Sequence, residues 1–380
     1  MKWLAWFGIA GILFCGCIRS SNHASFPFYR GTTSSTLYAT GFDVVDNGNF
    51  KLLGVHDPWQ NSRNITFIYV LSEDQSLVPD SLADLPFIKI PVHRVITLST
   101  THVAMIHQLG MAKSIKGASG TGFIYNPEIR NRIDAGEVLE VGYDQGLNYE
   151  TIVNLDPDVL FMYGVEGSIR ARSEKLLELG VPVVFCGEYL ETHPLGKAEW
   201  IRFFSLFYGL EDESEIFFHR IDSTYQALAG QAAQIENKPS VLTGLPWKDT
   251  WYMAGGRSFA ARLIEDAGGS YLWSDNHSTE AIPLDLESVY AGAVEAEIWI
   301  NPGAARNLDE LNRFDERFSE LPVLRNGQVY NNNKRLSEGG GNDYWESGTV
   351  RPDLVLADLI EVFHPELLRD HQYIYYRKLK

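Results

Sequence analysis

The sequence predicts an α/β chain of two lobes, each built on a central parallel sheet, joined by a long α-helix and preceded by a small β-rich appendage. Three observations lead there. Short apolar runs alternate with helical patterns on both sides of a central stretch, which is the mark of βα units. That stretch, residues 195–236, keeps a helical apolar period without proline after Pro194, and Trp200, Phe203, Phe204 and Phe207 share one stripe. Finally, 380 residues are more than one hydrophobic core usually organises.

The N-terminus reads as an export signal. Met1-Lys2 gives a positive start, and Trp3 to Phe14 is an apolar run too short to span a bilayer. Leu13-Phe14-Cys15-Gly16-Cys17 resembles a bacterial lipobox, with Cys17 the lipidated residue; ordinary cleavage after Ala24 is the alternative. Residues 1–16 form the expected signal peptide, and residues 17–36, polar and rich in Ser, Thr and Asn, a tether between lipid and domain. Cleavage before Cys17 removes 16 residues, leaves 364, and shifts the net charge from −17 to −18, because Lys2 is the sole charged residue lost. So acidic a chain repels phosphate backbones, which excludes nucleic acid as a partner. Of three cysteines, Cys15 is removed and Cys17 modified, which leaves Cys186. A single thiol makes no intramolecular disulfide, so stability must come from burial. Cys186 ends the buried-strand run Val181 to Phe185 and reads as core filler rather than nucleophile.

The elements follow in order. Residues 37–92 hold short β-branched and aromatic runs, Phe50 to Val55 and Ile65 to Leu71, that predict an antiparallel β extension. The first lobe, 93–194, opens with the strand Val95 to Leu98. Ser99-Thr100-Thr101 then cap a helix that Gly110 ends. Ile115 to Ala118, Val159 to Tyr163 and Pro182 to Cys186 supply further strands, with a helix over 171–179. Residues 195–236 form the bridge; two shorter helices broken near Gly209 are the alternative. The second lobe, 237–380, offers strands at 241–244, 298–301 and 329–330, with helices at 258–267 and 352–363.

Ligands of open α/β sheets bind beyond the carboxyl ends of the strands. Those ends carry His102, Tyr125 and Tyr163 in the first lobe, and Trp247, Trp251, Tyr252, Trp273, Tyr344 and Trp345 in the second. Aromatic faces with a polar edge suit a flat macrocycle or an aryl chelate. Arg257 and Arg351 can pair with ligand carboxylates through a bidentate fork. Gly339-Gly340-Gly341 is either a mobile flap or a plain turn. The ten histidines lack any metal-binding spacing, so no metal site is expected, although His193 and His277 can converge on His102 in space. His102 is the candidate axial ligand of a haem or corrinoid. For an enzyme, Asp144, Glu188 and Asp249 are the acids on offer and Ser99 and Ser119 the nucleophiles. No nucleophile elbow or phosphate loop accompanies them.

The order of segments resembles the iron-chelate/cobalamin periplasmic-binding domain family. The carrying pieces are Arg94 to Ser99 with Gly117-Ala118-Ser119, Leu147 to Leu160, Leu195 to Trp200, Gly255 to Phe259 with Asp266 to Gly269, and Arg351 to Leu359 with His364-Pro365-Glu366. The resemblance implies two Rossmann-like lobes tied by a stiff helix that allows only a small rocking motion. It implies a monomeric, non-enzymatic solute-binding lipoprotein in the periplasm, anchored to the membrane by its lipid. That protein would hold an iron-siderophore, haem or cobalamin-type ligand in the interlobe cleft, with no intrinsic cofactor, and deliver it to an ABC permease and its ATPase. Docking in this family uses one exposed Glu per lobe, which points to Glu166 and Glu265, with Arg170, Arg172 and Arg262 nearby as departures. A surface capture protein without an ABC partner, or an extracytoplasmic hydrolase, are the alternatives.

Overall fold

The computed structural model describes residues 32–143, 146–164 and 168–380. The expected signal peptide, Cys17, Asp144 and Glu166 lie outside them. Among the described residues the strands form three five-stranded sheets and a two-stranded ribbon. No helix there is long and apolar enough to cross a membrane.

The extension is a sheet of β1 (Thr32–Ser34), β2 (Phe42–Asp46), β3 (Lys51–His56), β4 (Thr66–Ser72) and β5 (Phe87–Lys89), in chain order. Its first four strands pair antiparallel, as expected, but β5 runs parallel to β4. A parallel pair needs a long crossover, and residues 73–86 provide one.

The first lobe holds β6 (Val95–Thr97), β7 (Ile115–Ala118), β8 (Leu139–Glu140), β9 (Val159–Met162) and β10 (Val183–Phe185) in the order β10-β9-β6-β7-β8, every pair parallel. Its helices are α1 (Thr100–Gln108), α2 (Pro127–Asp134), α3 (Tyr149–Asn154) and α4 (Ser168–Glu178). The hydroxyl of Ser99 accepts from the N–H of Thr101 at the start of α1, and Gly110, at φ +74°, lets the chain leave it.

The bridge departs from the expectation of one continuous helix over 195–236. It is two helices, α5 (Pro194–Ser205) and α6 (Glu211–Ala232), parted by a turn in which Gly209 takes φ +67°. A left-handed residue ends a helix regardless of the apolar period on either side. The stripe of rings explains why α5 stays with the first lobe. Trp200, Phe203, Phe204 and Phe207 are all fully buried. Trp200 meets Phe42 of the extension at 4.9 Å, while Phe204 and Phe207 each meet Phe161 of β9 at 4.9 Å. Both sheets are thereby welded to one helix, each ring contributing about 1.5–3 kcal/mol.

In the second lobe β13 (Ser270–Tyr271), β11 (Ser240–Thr243), β15 (Ile298–Ile300) and β16 (Val329–Asn331) run parallel, and β17 (Arg377–Lys378) closes the edge antiparallel. β12 (Thr250–Met253) and β14 (Ile282–Asp285) form the ribbon. The helices are α7 (Phe259–Asp266), α8 (Leu286–Ala293), α9 (Leu308–Phe314), α10 (Pro322–Arg325), α11 (Ser347–Val350) and α12 (Pro352–Phe363). α6 packs along both α5 and α12, and α11 rests on α1 and α5.

Two buried carboxylates hold the start of the extension. Glu199 on α5 accepts the N–H groups of Leu37, Tyr38 and Ala39 at 2.7–2.8 Å and pairs with Arg202 at 2.8 Å. Glu191 accepts those of Thr40 and Gly41 and the Trp200 indole. Gly41 is required there, since a Cβ would lie 2.7 Å from the Trp200 ring.

Candidate functional site

The carboxyl ends of the first-lobe strands build one wall. Tyr163 follows β9, and its ring lies 5.9 Å from that of Tyr189, whose hydroxyl donates to the Gly164 carbonyl at 2.6 Å. Burial pushes the Tyr189 phenol up to about 12, so it remains a hydrogen-bond donor. Trp59 of the extension bridges to Gly164 by backbone and packs on Phe185, so the extension reaches this rim. A polar pocket of about 470 Å³ opens beside it, lined by His56, Asp57, Trp59, Gly187 and Glu191 together with Glu280 of the second lobe.

Below the wall sits a sealed group. The hydroxyl of Thr101 donates to Glu188 Oε1 at 2.6 Å, and His102 Nε2 lies 3.2 Å from the same oxygen. Burial works against the charge on Glu188, but the neighbouring His102 ring and the Thr101 hydroxyl outweigh it and hold the carboxyl below its ordinary range. Cys186 is wholly buried, and burial pushes its thiol well up.

Lys197, on α5 between the lobes, carries its ammonium 4.2 Å above the ring of Phe259 from the second lobe. Burial pulls it down to about 8 against the attraction of Glu188 and Glu191. This cation at the junction went unnoticed in the sequence, where Lys197 is one polar residue in an amphipathic helix. Only its neighbour in space, Phe259, sets it apart.

The second-lobe candidates divide by the period of their strand. Along β12, Trp251 points inward and Tyr252 outward, as pleating requires. Trp251 is therefore no cleft residue: at 0% exposure it packs on Trp299 and Phe318 and donates its indole N–H to the Thr243 carbonyl. Trp247, in the loop that leaves β11, is 64% exposed, and Lys248 stands 4.5 Å over its ring. Trp273 is half-buried beside Gly292, and Arg257 is exposed. Tyr344 is buried with Tyr375 and Tyr376, while Trp345 next to it is 55% exposed and meets it edge-on at 4.7 Å. Arg351 is already committed, forking onto Asp353 at 2.8–2.9 Å, which accounts for it without a ligand. His102, expected at the cleft face, lies at 0% exposure beneath it. His193 caps α5 by accepting from the Leu195 N–H, and His277 is exposed, so the three histidines do not converge.

The lobes also meet at a backbone seam. Glu346 accepts the N–H groups of Tyr125 and Asn126. The Arg335 guanidinium lies 5.1 Å from the Tyr125 ring centre. Gly339 and Gly341 press against the carbonyls of Gly122 and Phe123, and a Cβ on either would sit 2.2 or 1.9 Å from those oxygens. The triple glycine thus serves close approach between backbones. Tyr125 is part of this seam, and Phe123 beside it is half exposed. Glu265 is exposed on α7, where Arg262 is taken up by Asp266 at 2.9 Å.

Two sheets, parallel but for the edge strand β17, joined by a helical bridge, form the two-lobed frame of a solute binder. The chain belongs to the periplasmic binding protein family, whose sequence model matches residues 95–336. That family consists of extracytoplasmic solute-binding proteins, not enzymes. Two uncharacterized lipoproteins of Methanocaldococcus jannaschii are similar along most of its length. One is 26% identical over 92% of this chain and 86% of its own, the other 27% over 82% and 80%. A periplasmic heme-binding protein of Pseudomonas aeruginosa shares the fold at TM-score 0.57 and 16% identity, over 76% of this chain and 98% of its own. Another, from Roseiflexus sp. RS-1, does so at 0.55 and 21%, over 72% and 98%.

Proposed function

We propose that this chain is the solute-binding lipoprotein of an ABC importer, anchored through Cys17, and that its cargo is a flat metal chelate of the ferric-siderophore, haem or corrinoid kind. The observation that carries this reading is the division of its aromatics. Trp247, Tyr252 and Trp345 stand exposed on loops and on the outward side of a ribbon, while Trp251 and Tyr344 beside them are buried. Rings held out on loops by a rigid scaffold are where binding surfaces are commonly built. Tyr163, Trp273 and Arg257 complete the proposed set, and Lys197 offers a cation to a carboxylate-bearing edge. The names of the fold neighbours and of the M. jannaschii relatives favour the same class of cargo and the lipid anchor. Glu265 is the second-lobe residue proposed to meet the permease.

Titration calorimetry of the mature protein with haem, cobalamin, cobinamide and a ferric hydroxamate tests the reading. Micromolar or tighter binding of one chelate is expected, weakened at least tenfold by Trp247→Ala or Trp345→Ala. Absence of binding across the panel overturns the cargo assignment.

A further inference from the structure

Three donors of different chemistry converge inside the first lobe. His102 comes from the first turn of α1, and Cys186 and Glu188 leave the end of β10 two residues apart. One ring nitrogen, the sulfur and one carboxylate oxygen all lie within 4.8 Å of one another, and all three side chains are sealed from solvent.

Their hydrogen bonding is incomplete. Among the described residues, neither ring nitrogen of His102 makes a well-aligned hydrogen bond, nor does Glu188 Oε2. Leaving one such buried group unsatisfied costs about 1–3 kcal/mol. His102 Nε2 and Glu188 Oε1 approach to 3.2 Å without the alignment of a hydrogen bond. Two donors sharing a tetrahedral ion at bond lengths of about 2.0–2.1 Å stand about 3.4 Å apart. The spacing, which an ion pair shares, also suits ligands around a common centre. Thr101 Oγ1, donating to Glu188 Oε1 at 2.6 Å, fixes that carboxylate as outer hydrogen bonds fix metal ligands.

We propose that His102, Cys186 and Glu188 bind a single borderline divalent transition-metal ion of the zinc class beneath the cleft wall. An imidazole, a thiolate and a carboxylate select such an ion over the hard cations magnesium and calcium. Cys186 binds as thiolate, its proton passing to solvent, and the metal keeps its oxidation state. Three protein donors leave a fourth position for a water. The His102 ring is bounded by Phe204 at 5.5 Å and by Tyr163, edge-on, at 6.2 Å. The site is independent of what the cleft carries, so a chelate screen that fails leaves it standing.

Mature protein stripped with a chelator and titrated with Co²⁺ tests this. One equivalent is expected, with a thiolate-to-cobalt charge-transfer absorption that Zn²⁺ abolishes by displacement. Cys186→Ser should remove that absorption, and Thr101→Val should weaken Co²⁺ binding about tenfold with the absorption retained. Wild-type protein that stays folded yet shows no thiolate absorption, or takes up well under one equivalent, overturns the proposal. The wild-type titration decides even if the serine variant fails to fold.

Discussion

Glu346 of the second lobe accepts the backbone N–H of Tyr125 of the first at 2.7 Å, and its other oxygen accepts that of Asn126 at 2.9 Å. Burial drives this carboxyl up to about 7, helped by nearby Asp343 and opposed by the two N–H groups and Arg335. A folded-state value above the ordinary one means that the native protein binds the proton more tightly than the unfolded chain. The resulting stability is complete below the usual Glu value of 4.5 and is lost as pH rises through about 7. Thermal melts of Glu346→Gln should be flatter than wild type across that window, the difference amounting to about 1–3 kcal/mol. Parallel pH profiles for the two proteins would remove Glu346 as the source.

Gly341→Ala is expected to force the seam apart. Its Cβ would meet the Phe123 carbonyl at 1.9 Å, and backbone cannot step aside as a flexible side chain can. A loss of about 1–3 kcal/mol in urea unfolding should result. Gly122→Ala, in the 3-10 turn on the facing side of the same seam, meets nothing within 4 Å and should be tolerated.

The two tryptophans of the β11–β12 region should separate stability from recognition. Trp251→Ala empties a core site between Trp299 and Phe318 and should cost about 3–5 kcal/mol. Trp247→Ala should change stability by less than about 0.5 kcal/mol while weakening the chelate. Denaturant curves beside calorimetry read both, and equal stability losses would place Trp247 in the fold instead.

Asp358 ties down the C-terminal segment. Its buried carboxylate accepts the N–H groups of Ile374, Tyr375 and Tyr376 at 2.7–3.0 Å and meets His371 Nε2 at 2.7 Å. Asp358→Ala strands three backbone donors and should cost about 3 kcal/mol or more. Carboxypeptidase should then trim the tail, which wild type should resist.

Much of the fold was legible because it depends on local periods. The strand Val95 to Leu98, the helix beginning at Pro352 and the alternation between them follow from patterning alone, within a residue or two at the ends. The bridge reads first as one helix, with the break near Gly209 only as the alternative, because Trp200 to Phe207 and the later α6 stripe share one period, and the single φ at Gly209 that parts them leaves no apolar trace. At the site, the aromatic candidates were visible as residue types, but their direction was not. Trp251 and Tyr252 are neighbours in sequence and opposites in exposure, a difference that strand pleat sets once the edges of β12 are known. The pairing of Glu188 with His102, 86 positions away, is a tertiary fact that no spacing rule anticipates.

The family match begins at residue 95, yet the hydrophobic core does not. Phe185 donates its N–H to the Tyr69 hydroxyl, Val92 bonds the Phe207 carbonyl, and Phe42 covers Trp200. A fragment cut at that border would bare the indole and phenyl faces of α5 to water and would be expected to aggregate. For this protein the border of the shared family domain and the limit of a foldable unit fall in different places.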